Sequence, residues 1–264
     1  ALGGRLAGRR VAINPLETCG ACAACRGGRE HLCPERALIG LRVPGAFAER
    51  VAIAERNLTP LPDGLAEADA ALAEPLAVSV HGVRLGLARL ARPAAEARAV
   101  VLGGGAIGLL AALVLRAYGV GRVSVAERAP RRRQIVASAT GAAAYDPADR
   151  AAEERSAELV IDAVGSGATR AAASALAAPG GTIVHVGLQD GAEGLDTRRL
   201  TLQEIAFLGA YCYTAADFAE ALRLLAEGTV RGAGWAEVRP LEAGPVAFRE
   251  IDAGDAPPKI ILRP

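Results

Sequence analysis

Between a run of β-formers, Ala97 to Leu102, and the helical pattern of Ala106 to Tyr118 lies Gly103-Gly104-Gly105-Ala106-Ile107-Gly108. A G-x-G-x-x-G turn joining a buried strand to a helix leaves a chain few folds to adopt. Gly103 permits the tight turn, Gly105 lets a pyrophosphate approach the backbone, and Gly108 lets the helix close on its strand. The N–H groups of Ala106 and Ile107, at the helix N-terminus, are expected to hold phosphates. Alone the motif is weak evidence, but the next β-run, Arg122 to Ala126, ends at Glu127, about 20 residues further on. A carboxylate there accepts hydrogen bonds from adenosine ribose hydroxyls and repels a 2′-phosphate, so NAD is expected over NADP. Arg128 and the run Arg131, Arg132, Arg133 could instead bind such a phosphate, stack on adenine, or form a solvated helix start.

Strand and helix patterns alternate beyond this point. Strands are expected at Glu158 to Ala163, Thr182 to Val186 and Ile205 to Leu208, with helices at Arg131 to Ala139, Ala168 to Leu176 and Ala215 to Leu225. Such alternation predicts an α/β fold with a doubly wound parallel sheet and right-handed crossovers. Apolar residues make up 52% of the chain but aromatics only 3%, which suits close helix-on-sheet packing. Residues 1–95 read as short β segments, among them Arg10 to Ile13 and Ala46 to Ile53, followed by a helical stretch from Leu65 to Leu90 interrupted at Pro75. The tail, 232–264, loses the pattern and ends in a strand at Lys259 to Leu262. Three segments are therefore expected: 1–95, a dinucleotide-binding domain over 96–231, and 232–264.

A net charge of +1 with interspersed signs offers no footprint for nucleic acid or an anionic membrane, and favours a small-molecule partner. The longest apolar stretch, Ala99 to Leu115, is shorter than the roughly 20 residues of a bilayer span. No signal segment opens the chain, so the cytoplasm is the expected location. The chain starts at Ala1 and has no methionine, which reads as a fragment or a processed chain.

Cys19, Cys22, Cys25 and Cys33 follow one another at gaps of two, two and seven residues. Two-residue gaps let successive thiolates converge, and four sulfurs complete the tetrahedral shell of a structural zinc, closed to water. Paired disulfides are disfavoured by strain and compartment, and an iron–sulfur cluster is the stronger rival. Cys212 stands alone beside an apolar strand and is expected to be a buried small hydrophobe.

Taken together these residues resemble the medium-chain zinc-dependent alcohol dehydrogenase family, in particular its sorbitol and threonine dehydrogenase branch. The resemblance spans the chain through Asn14-Pro15, Pro44 to Glu49, Leu61-Pro62-Asp63-Gly64, Glu74-Pro75-Leu76, Val186-Gly187-Leu188, and Tyr213-Thr214 with Asp217-Phe218. It implies a Rossmann domain over 96–231, a partial GroES-like catalytic β domain over 1–95 to which 232–264 returns, and a cleft holding a second, catalytic zinc. The cysteine and Gly-His-Glu segment that supply that zinc's first ligands in relatives would lie upstream of Ala1. Only Glu74 matches a catalytic-zinc ligand or nearby exchangeable carboxylate; the alternative is an ordinary helix-start acid.

The resemblance also implies that Val164 lines the adenosine side of the cofactor, while Val186, Gly187, Leu188, Ala210 and Tyr211 approach the nicotinamide. The implied reaction is reversible oxidation of a secondary alcohol or polyol: zinc lowers the alcohol's pKa and hydride passes to the nicotinamide. Cys212 stands where polyol-acting relatives often carry an arginine, which counts against a sugar alcohol. A homo-oligomer is implied too, with Ile205 to Leu208 as an edge that relatives use in subunit contact. Among the histidines, His31 reads as exposed within the cysteine loop, and His81 and His185 as core or surface residues. Two rival readings are a catalytically inert fragment that binds nucleotide and zinc, and a zinc-free quinone-reductase relative, the latter opposed by the cysteines.

Overall fold

A computed structural model describes residues 4–149 and 153–264. Contacts divide the chain into two compact units. One is the chain through Ala77 with Cys212–Ala256 and Ile260–Pro264; the other is Val78–Tyr211 with Pro257–Lys259. These divisions fall before the expected 95 and 231. The helix Ala73–Leu87 explains the first, because its second half lies on the parallel sheet of the second unit. A Cβ on Gly82 would stand 3.3 Å from Val186, and one on Gly86 would stand 2.4 Å from Leu159 and 3.2 Å from Val184.

That sheet has six parallel strands: β1 (Arg98–Leu102), β2 (Arg122–Ala126), β3 (Ala143–Tyr145), β4 (Ala157–Asp162), β5 (Ala177–His185) and β6 (Ala206–Gly209). They run in the order β6-β5-β4-β1-β2-β3, the doubly wound arrangement. Covered on both faces, β1 buries Ala99 through Leu102, which is why it reads as an unbroken apolar run. Between strands lie helices α1 (Ala106–Ala117), α2 (Pro130–Thr140), α3 (Gly167–Leu176) and α4 (Thr197–Leu202). Proline opens α2 and Gly141, at φ +64°, ends it. A reciprocal Ser166–Thr169 capping box starts α3.

Three features escape periodicity. β3 and α4 are too short to show a period. β5 begins five residues before the expected Thr182, because a register shift against β4 between Ala157 and Leu159 accommodates Pro179-Gly180-Gly181.

The first unit contains two small antiparallel pairs, Val11–Ile13 with Leu58–Pro60 and Leu16–Glu17 with Ala37–Leu38. Residues 46–53, expected as β structure, are irregular: among the described residues no strand lies alongside to supply ladder hydrogen bonds. The tail holds more order than its pattern suggests, with a strand at Ala236–Pro240, a helix at Gly244–Ala253 and a strand at Lys259–Arg263.

Because Gly86 meets buried Leu159, Gly86→Ala is expected to lower stability. Overpacking costs about 1–3 kcal/mol, and the helix-propensity gain of about 1 kcal/mol offsets only part of it. A thermal melt should fall by roughly 3–6 °C; an unchanged or raised midpoint would contradict the packing described.

Candidate functional site

In a parallel sheet of this order, ligands settle outside the carboxyl ends of the strands where the winding reverses, here between β1 and β4. The glycine turn leaves β1 at that edge. Gly103 has φ +96°, and its amide donates to the Ala126 carbonyl at 2.8 Å. A Cβ on Gly108 would lie 1.9 Å from the Gly103 carbonyl oxygen, so helix and strand touch as only glycine allows. At Gly105 a Cβ would meet nothing within 4 Å. The space above that residue is open, and no side chain caps the N-terminus of α1.

Glu127, 9% exposed, ends β2 beside this turn. Its Oε2 accepts from the Gly104 amide at 2.7 Å and its Oε1 from the Ala129 amide at 2.8 Å. A carboxylate has about four acceptor positions, so capacity remains for ribose hydroxyls. Gly104, one of the variable positions of the motif, is itself constrained: a Cβ there would press on Glu127 and Val136 at 3.0–3.1 Å. Of the arginines considered for a 2′-phosphate, Arg133 is committed elsewhere, to the Glu127 carbonyl at 2.9 Å and Asp146 at 2.7 Å. Arg128 is exposed and Arg132 half-buried near the start of α2.

The remaining expected cofactor residues cluster at the same edge. Val164 follows β4, Val186-Gly187-Leu188 follows β5, and Ala210-Tyr211 follows β6. Leu188 is 85% exposed. Sequence reasoning passed over Asp162, the fully buried last residue of β4, although an acid closing the apolar run Leu159-Val160-Ile161 was a readable signal. His185, which ends β5, places Nδ1 3.1 Å from Asp162 Oδ2.

In the first unit the four cysteine sulfurs lie within 4.8 Å of one another. Cys19 Sγ is 3.9 Å from Cys25 Sγ and 3.5 Å from Cys33 Sγ. A tetrahedral ion at the usual Zn–S length of about 2.3 Å needs sulfurs about 3.8 Å apart, so the quartet fits one zinc. A multi-iron cluster would spread its thiolates further, and all five cysteines are free of disulfides. Amides of Ala21 and Cys22, with the Cys33 thiol, hold the Cys19 thiol down to about 6. Burial, with help from Cys22, pushes Cys25 up to about 11. His31, expected to be exposed, is only 5% exposed. The return of the chain to fully buried Cys33 draws the Glu30–Leu32 turn inward.

Glu74 lies half-buried in the first turn of the Ala73–Leu87 helix. Its carboxylate lies close enough to raise the pKa of the Tyr213 phenol, whose hydroxyl donates to Asn14 Oδ1 at 3.3 Å. Burial first, then the Glu74 and Cys212 charges, drive the Tyr213 phenol far above its ordinary range, so a neutral hydroxyl partners this acid. Among the described residues the cysteine quartet is the one grouping of three or more candidate metal ligands, and Glu74 stands outside it. Cys212, expected as a buried hydrophobe, is only partly buried and takes φ +47°, because the chain turns sharply after β6. No helix among the described residues is long and apolar enough to cross a membrane.

Comparison with known proteins matches residues 106–227 to the zinc-binding dehydrogenase family and residues 3–63 to the alcohol dehydrogenase GroES-like domain. L-galactonate-5-dehydrogenase of Escherichia coli K12 is 36% identical over 231 residues, covering 84% of this chain and 66% of that protein. The 2-dehydro-3-deoxy-L-galactonate 5-dehydrogenase of Pseudoalteromonas atlantica is 33% identical over the same shares. The chain thus spans just under two thirds of the length of these relatives. A Sinorhizobium meliloti structure assigned as a zinc-binding dehydrogenase, bound to NADP, superposes with a TM-score of 0.85 at 27% identity, covering 97% of this chain and 77% of that one.

Proposed function

The chain belongs to the zinc-binding dehydrogenases of the medium-chain alcohol and polyol type, and from that premise we propose that it serves reversible hydride transfer between a secondary alcohol and NAD. The observation that carries this reading is the Gly103–Gly108 turn, open above Gly105 and uncapped at α1, with Glu127 beside it at the switch point of the sheet. Pyrophosphate would rest on the Ala106 and Ile107 amides, and ribose on Glu127. Arg128 and Arg132 would flank the adenine, and Val164 would line the adenosine. The nicotinamide would lie along Val186, Gly187, Leu188, Ala210 and Tyr211.

A polyhydroxy substrate is the favoured class. The galactonate dehydrogenases support it, and they outweigh the lone departure at Cys212. Each relative reported above is a dehydrogenase, which favours catalysis over an inert, binding-only role. Cys19, Cys22, Cys25 and Cys33 would hold a structural zinc that braces their loop and takes no part in the reaction. Among the described residues, Glu74 is the one proposed to face a second, catalytic metal. The edge strand β6 is the proposed subunit contact of a homo-oligomer, and reduced thiols suit the cytoplasm.

Calorimetric titration of the zinc-replete protein should show both dinucleotides binding, with NAD about tenfold tighter or more because Glu127 repels the 2′-phosphate. Glu127→Ser should narrow that preference. Uptake of neither dinucleotide would overturn the reading.

A further inference from the structure

Asp162 is fully buried, yet its carboxylate uses all of the roughly four acceptor positions such a group has. Oδ1 accepts from the amides of Val164 at 3.1 Å and Gly165 at 2.9 Å. Oδ2 accepts from Thr169 Oγ1 at 3.0 Å and faces His185 Nδ1 at 3.1 Å. Its carbonyl oxygen takes the amides of Val186 and Gly187 at 2.9 and 3.0 Å. One residue therefore ties the turn after β4 to the turn after β5.

Those turns are pressed together. A Cβ on Gly165 would lie 2.0 Å from the Gly187 carbonyl oxygen, and one on Gly187 would lie 2.1 Å from the Val164 carbonyl carbon. Val164 in turn abuts the phosphate turn, 2.6 Å from where a Gly103 Cβ would stand. Buried Arg170 supports the far side, donating to the Gly165 carbonyl at 2.9 Å and to Asp190 at 3.0 Å. Removing one member of a buried hydrogen-bonded network is costly, because its partners are left unpaired. The bonds of Asp162 run to the loops at the carboxyl edge of the sheet, where the ligand is read to lie.

We propose that Asp162, with His185, is the positioning residue that registers the Val164 and Val186–Leu188 turns against the phosphate turn, and so sets affinity for the nicotinamide half of the cofactor. It saturates its own acceptors and touches no ligand. The inference rests on the dinucleotide reading above.

The test compares NAD with AMP on the full, zinc-loaded chain: of the turns Asp162 positions, AMP meets only Val164, whereas the nicotinamide half also meets Val186 to Leu188. Asp162→Ala should weaken NAD about 30-fold, the loss of two net hydrogen bonds, while AMP changes by less than about threefold. Asp162→Asn keeps an oxygen for the Val164 and Gly165 amides and should recover to within about fivefold of wild type. Should Asp162→Ala fail to fold, His185→Ala, which removes one bond, should weaken NAD about fivefold and spare AMP. Equal losses of NAD and AMP, or no loss of NAD, would overturn the proposal while the dinucleotide reading stands. A wild-type chain that bound neither ligand would overturn both.

Discussion

Gly105→Asp is expected to lower dinucleotide affinity by at least about 100-fold while leaving the fold as stable as before or slightly more so. Gly105 is the residue before the first turn of α1, at φ −70°, a conformation open to any L-residue, and a Cβ there meets nothing within 4 Å. An aspartate at this position would cap the exposed amides of α1, contributing a few tenths of a kcal/mol over glycine. The same carboxylate would occupy the place of the pyrophosphate and repel it. Gly108→Ala should behave in the opposite way. Its Cβ would strike the Gly103 carbonyl oxygen at 1.9 Å, a backbone atom with little room to move, so about 2–4 kcal/mol of stability should be lost. Thermal melts beside calorimetric titrations separate the two variants. A Gly105→Asp protein that bound NAD as wild type does would remove the pyrophosphate from this turn.

The second large effect is expected at the cysteine quartet. Purified protein should carry one zinc per chain in that site, and Cys33→Ser should lose it together with at least about 10 °C of thermal midpoint, since metal-binding energy at a closed thiolate site is folding energy. Cys33 is the sensitive member: it is wholly buried, and its sulfur accepts the Cys19 amide at 3.5 Å. Metal analysis alongside a melt tests this. Iron in place of zinc would restore the cluster alternative, and an unchanged midpoint on complete chelation would show the loop standing without metal.

Much of the site was legible because its signals are local. The glycine turn, Glu127 at the end of β2 and the cysteine spacings each report on residues close in the chain, and periodicity located the core strands of the sheet. Reading failed where an element is short or depends on a neighbour. β3 spans Ala143–Tyr145 and α4 spans Thr197–Leu202, both too brief for a period. The apolar look of 46–53 suggested a strand, but backbone without an adjacent ladder stays irregular. His31 was misjudged because polarity within a loop says nothing about where the loop folds.

Local chemistry written into the chain thus determined the fold class, the glycine turn and the cysteine set, because each depends on conformations that adjacent residues prefer. Tertiary structure alone decided that Asp162 meets His185, that Gly165 touches Gly187 and that Tyr213 lies between Asn14 and Glu74. The first two contacts require the chain to place β4 between β1 and β5, and the third joins segments far apart in sequence. A stretch of residues carries its own dihedral preferences, but not the identity of the segment that will pack against it.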